Sequence, residues 1–144
     1  MSDDYYSIPA LSASGINAFY KSPLHFWRES PFNPSRIVRG ETPAMRFGKL
    51  CHALALEPET VNPALYTKKK DKESYDAAVD MRNALYRNDA VRDLLGQGSA
   101  EKPLFWDNGI KCKAKLDYYR NGLILDYKTS TSAAPEDFQK ALVN

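Results

Sequence analysis

The 144-residue chain predicts an α/β fold: helices packed on a three-stranded antiparallel meander. Three observations lead there. Apolar stripes at helical spacing recur up to Gly96, short alternating runs divided by Asn-Gly turns replace them after Gly98, and a proline-led acidic segment follows. With 43% hydrophobic and 26% charged residues, the composition is that of a soluble globular protein. No apolar run is long enough to span a bilayer, and the acidic start "MSDDYYSIPA" is unlike a signal peptide. A cytoplasmic protein with no membrane partner is therefore expected. Cys51 and Cys112 are too few for a disulfide framework and read as two buried thiols in a reducing compartment. A net charge of +2 does not by itself announce nucleic-acid binding.

The elements follow in order. Ser12 or Ser14 caps a helix carrying Ile16, Phe19 and Tyr20, and Ser22-Pro23 starts a second, short one. Two prolines and a glycine make residues 30–41 irregular, and Arg36 and Arg39 there are candidates for contacting a charged ligand. Thr42 then caps a helix with Pro43 in its first turn, Phe47, Leu50, Cys51 and Leu54 as its buried stripe, and Pro58 at its end. The basic run "TKKKDK", residues 67–72, reads as a solvated loop. Tyr75, Ala78, Val79 and Leu85 place a helix over residues 72–86, and a short helix runs from Asn88 to Gly96. "AEKPLFW", "IKCKAKLDYY" and "LILDYKTS" then form the meander, and "SAAPEDFQKALVN" starts another helix on Pro135 and two acids. The expected organisation is a single domain over residues 1–144. It has a helical part (1–97), a β-meander (98–131) and the start of a following helix (132–144), and the sheet looks unfinished.

In "DYYRNGLILDYKT" a two-residue Asn121-Gly122 turn pairs Arg120 with Leu123. That register sets Asp117 opposite Asp126, and Lys115 opposite Lys128. Directly opposed β-carbons lie about 4.5–5.5 Å apart, where like charges are destabilising. Alternation puts Leu116, Tyr118, Leu123, Leu125 and Tyr127 on a core-facing side, with Asp117, Asp126 and Lys128 on the other. A three-residue Asp107-Asn108-Gly109 loop aligns Trp106 with Ile110 and Leu104 with Cys112, which places Glu101 opposite Lys115 on the face of the aspartates. Two chemistries suit such a face. One is a checkerboard of surface ion pairs, worth about 0–1 kcal/mol each. The other is a hard divalent cation, which takes one or two carboxylates plus substrate phosphates, with a lysine to position water or balance charge. Spacing alone does not separate them.

The order acid, Asp, then Asp-x-Lys over consecutive strands resembles the PD-(D/E)xK nuclease superfamily. "FGKLCHALALEP" (residues 47–58) resembles the histidine-centred helix motif of its RecE/exonuclease VIII branch, related to the RecB-type nuclease domain, and "SGINAFYKSPLHFW" resembles that branch's N-terminal helices. The resemblance implies a restriction-endonuclease-like core. It implies that His52, Asp117 and Asp126 are metal ligands, with the Tyr127 backbone carbonyl as a further one. Lys128 would be the catalytic lysine, and Glu101 an acid that supports the metal or the attacking water. Lys115, Arg36 and Arg39 are the candidate DNA contacts. The implied cofactor is Mg²⁺, with Mn²⁺ able to substitute. The implied activity is 5′-to-3′ exonuclease hydrolysis of double-stranded DNA ends in phage-type homologous recombination, inside a bacterial host. A single-strand annealing recombinase is the implied partner, and a homo-oligomer the implied assembly. The Gln-x-x-x-Tyr helix of RecB-like nucleases has no counterpart before Asn144, so the chain reads as C-terminally truncated. The alternative is a non-catalytic DNA-binding or assembly fragment that keeps the fold.

Overall fold

Ser12, Ser22, Thr42 and Asn88 each accept a backbone N–H at the start of a helix, and these side-chain caps phase the helical half of the molecule. The computed structural model describes residues 3–130, 132, 134–137 and 139. Its elements are α1 (Asp3–Ser7), α2 (Ala13–Lys21), α3 (Pro23–Glu29), α4 (Pro43–Leu56), α5 (Lys69–Tyr86), α6 (Asp89–Leu94), β1 (Ser99–Asp107), β2 (Lys111–Arg120) and β3 (Leu123–Leu125). Single 3-10 turns, Pro58–Thr60 and Pro63–Leu65, join α4 to α5. Helix α1 escapes sequence periodicity because five residues carry no repeat. The run "TKKKDK" is a loop only at Thr67 and Lys68: α5 begins at Lys69 and takes up the other three lysines, whose straight chains lose little freedom in a helix. Of the helix expected after Pro135, residues 135–137 and 139 are helical, and the remainder lies outside the described residues.

The main core lies between α4 and α5. Leu50, Cys51 and Leu54 pack on Ala78, whose methyl-sized side chain lets the helices approach. Each leucine buried this way contributes about 1.5–3 kcal/mol. Helix α5 also completes the end of α4. Arg82 Nε donates to the Leu54 carbonyl at 3.0 Å and the Tyr86 hydroxyl to that of Ala55 at 2.7 Å, partnering last-turn carbonyls that have no intrahelical donor.

The sheet is antiparallel in the order β1-β2-β3. The Asn121-Gly122 turn, with φ of 47° and 85°, gives the expected pairs Arg120↔Leu123, Tyr119↔Ile124 and Tyr118↔Leu125. Pairing then stops, so β3 is shorter than the run "LILDYKTS" suggests. The Tyr127 N–H is taken by the Asp117 carboxylate at 2.8 Å, and this side-chain acceptor replaces the next rung of the ladder.

The first hairpin differs from expectation. Its loop is Asn108-Gly109-Ile110, with Gly109 at φ 76°, closed by Asp107↔Lys111. Trp106 consequently faces Cys112, Leu104 faces Ala114, and Pro103, not Glu101, faces Lys115. Glu101 falls across from Asp117, between the pairs Ala100↔Tyr118 and Lys102↔Leu116. The slip is two residues, so no side chain changes face.

The face bearing Lys113, Lys115 and Asp117 is the covered one. Lys113, only 4% exposed, donates to the Tyr5 and Ile8 carbonyls at 2.8 and 2.9 Å and so fastens α1 to the sheet. On the other face Tyr118 is buried, while Trp106 and Leu123 stay half exposed. The expectation that this apolar side forms the core holds only around Tyr118. Tyr127 leaves it, because the chain turns off the ladder after Leu125 and seats the ring against the α4–α5 core. No helix among the described residues is long and apolar enough to cross a membrane.

Candidate metal centre

Helix α4 has two neighbours. The stripe Phe47, Leu50, Cys51 and Leu54 faces α5, and the adjoining face carries Gly48 and His52, one turn apart, toward the sheet and the segment after it. His52 Nδ1 thus lies 3.8 Å from Asp117 Oδ2, and its ring centroid is 5.1 Å from that of Tyr127. Glu101 joins from β1. One ligand atom each from His52, Glu101 and Asp117 lie within 4.8 Å of one another.

The three side chains are about one-quarter exposed or less, and two are positioned by unusual backbone interactions. Asp117 accepts the Tyr127 N–H, which fixes its carboxylate against the segment leaving β3. Glu101 has φ 50°, left-handed backbone at the third residue of a strand. One imidazole nitrogen and two carboxylate oxygens are donors that divalent cations take. The 4.8 Å spread is close to the span of about 4 Å between opposite ligands of an ion with bonds of about 2.1 Å. The residues present therefore fit a divalent cation.

Two lysines of β2 stand in different electrostatic surroundings. Lys115 forms an ion pair with Glu101 and lies near the Tyr5 and Tyr6 rings. Burial alone would push its ammonium down, but the hydrogen bonds and charges of Glu101 and Tyr6 outweigh it and hold the group above the ordinary lysine value. Burial, then the nearby Arg36, lowers Lys113. Burial raises the phenol of Tyr127, with a smaller contribution from Cys51.

Other candidates are not members of this trio. Asp126, which is not part of the cluster, pairs with Lys128 at 2.8 Å, both more than half exposed. The arginines hold the irregular segment in place. Arg36 donates to the Tyr6 carbonyl at 3.2 Å, and Arg39 pairs with Glu29 on α3.

Beside Glu101 and Lys115 opens a cavity of about 290 Å³, also lined by Glu57, Ser99 and Lys102. Glu57, which follows the last residue of α4, and Tyr6 were not legible as site residues. Glu57 lies five residues past His52, and that proximity is the one local signal it offers. Tyr6 reaches the site only through tertiary folding.

No curated protein matches the chain. Residues 12–144 match the family described as "PDDEXK-like domain of unknown function (DUF3799)". The match takes in α2 through β3, and hence all three residues of the cluster. The chain belongs to this PDDEXK-like family, whose fold is that of nucleases.

Proposed function

We propose that the protein is a Mg²⁺-dependent deoxyribonuclease that hydrolyses phosphodiester bonds from the ends of double-stranded DNA, with 5′-to-3′ polarity. The carrying observation is the convergence of His52, Glu101 and Asp117 in a PDDEXK-like chain. The resemblance of residues 47–58 to the exonuclease VIII helix supports the polarity, the role in recombination in a bacterial cytoplasm, a single-strand annealing partner and a homo-oligomer.

His52, Glu101 and Asp117 would hold the cation. Asp126 and the Tyr127 carbonyl, beside the Asp117–Tyr127 contact, would add to them. A bound divalent cation supplies Lewis acidity at the phosphodiester and makes a neighbouring water more acidic. Lys128 then orients that water or balances charge on the departing oxygen. Lys115, Arg36 and Arg39 contact phosphates, which position the duplex without reading its sequence.

Wild type is expected to release nucleotides from linear duplex DNA with Mg²⁺. Asp117→Asn should be slower by more than about a hundredfold, the upper end of the effect of losing support around a metal. Equal rates in wild type and Lys128→Ala would remove the lysine's role, and duplexes blocked at one end read the polarity. In calorimetry with Mn²⁺, absent binding to wild type, or equal binding to Asp117→Ala, would exclude the metal centre. A second reading, a DNA-binding fragment without activity, is favoured by one observation: Glu101 and Asp126 each already have a lysine partner. Metal binding without nucleotide release would select it.

A further inference from the structure

Glu101 carries two penalties at once. Its φ of 50° is left-handed backbone, which a residue with a Cβ enters at a steric cost, and its register sets it across from Asp117, a like charge. Such strain persists where surrounding contacts over-determine it, and the contact here is Lys115. The two side chains are 22% and 24% exposed, so each charge is far enough out of water to need the other. The Glu101 carboxylate thus stands between two claims: the Lys115 ammonium, and the His52–Asp117 pair with which it forms a cation-sized cluster. Both Glu101 and Lys115 line the cavity of about 290 Å³.

We propose that Lys115 is an exchangeable counter-ion of the metal centre: it neutralises Glu101 before loading, yields that carboxylate to the divalent cation, and turns its freed ammonium to a nucleic-acid phosphate in the adjoining cavity. The inference rests on the metal centre described under Proposed function. It makes Lys115 a competitor of the metal and a partner of the DNA. Metal and DNA then each bind more tightly when the other is present, by the same factor, and Lys115 carries that coupling.

The test is a calorimetric Mn²⁺ titration of wild type, Lys115→Met and Lys115→Arg, together with duplex DNA binding measured with and without Ca²⁺. Lys115→Met is expected to bind Mn²⁺ about tenfold more tightly, the scale of one lost charged hydrogen bond. It should also lose most of the Ca²⁺-dependent gain in DNA affinity. Lys115→Arg keeps a cation on Glu101 and should bind Mn²⁺ no more tightly than wild type. A merely structural lysine would weaken both ligands together, so opposite shifts are the signature. Wild type that binds Mn²⁺, with Lys115→Met binding equally or more weakly, would overturn the counter-ion role and leave the metal centre standing. Tighter binding by Lys115→Arg would overturn it too, even if Lys115→Met failed to fold. An unchanged Ca²⁺-dependent gain in Lys115→Met would remove the phosphate half, and absence of Mn²⁺ binding in every variant would remove metal centre and counter-ion alike.

Discussion

Glu101 shows at the scale of one residue how the site shapes the backbone. A side chain with a Cβ at φ 50° costs about 1–2 kcal/mol relative to glycine, which occupies that region freely. Glu101→Ala keeps the strain and loses the carboxylate, whereas Glu101→Gly loses both. Urea unfolding should therefore find Glu101→Gly more stable than Glu101→Ala by about 1 kcal/mol, the reverse of the usual order within a strand. Equal stabilities would mean that the strand relaxes and stores no strain there. His52 was ambiguous for a different reason. A histidine beside a buried stripe is as compatible with a core hydrogen bond as with a metal, and only the position of Asp117, 65 residues later, places it.

At the scale of elements, β2 is the organising strand, and Tyr118 fastens the helical half to it. Its hydroxyl donates to the Leu95 carbonyl at 2.7 Å and accepts the Gly98 N–H at 2.6 Å, so one side chain closes the end of α6 onto the start of β1. Tyr118→Phe leaves two backbone groups without their partner and should destabilise the fold by about 1–3 kcal/mol in denaturant unfolding. Gly98→Ala should cost a similar amount, because its Cβ would press on the Tyr118 ring and sit 2.5 Å from the Tyr119 carbonyl oxygen. The two turns explain why one register was legible and the other was not. Asn-Gly as a two-residue loop admits one pairing. Asp-Asn-Gly-Ile admits two three-residue loops, and the one used puts Gly109 in the middle and moves Glu101 by two rungs.

At the scale of the whole molecule, the α4–α5 core and the cluster share helix α4, so stability and site geometry are linked through one element. Burial, only partly offset by a backbone hydrogen bond, raises the Cys51 thiol above its ordinary value of 9.0. Above pH 9.0 the unfolded chain releases this proton while the folded chain keeps it, so the stability present below that pH falls as pH rises. The stability difference between wild type and Cys51→Ala, from unfolding curves taken below and above pH 9.0, should shrink on the alkaline side. A constant difference would show that the thiol is not desolvated. By itself the sequence determined the caps, the buried stripe of α4, the Asn121-Gly122 register and the set of acids, histidine and lysines available, since each depends on interactions within a few residues. The tertiary structure alone decided which of them meet. Asp117 converges with His52 and Glu101 because a two-residue slip in the first hairpin carries Glu101 to it. The strand stops at Leu125 and Asp126 pairs with Lys128, because the Asp117 carboxylate captures the Tyr127 N–H and the α4–α5 core takes the Tyr127 ring. No local propensity encodes that outcome, which follows from packing between segments far apart in the chain.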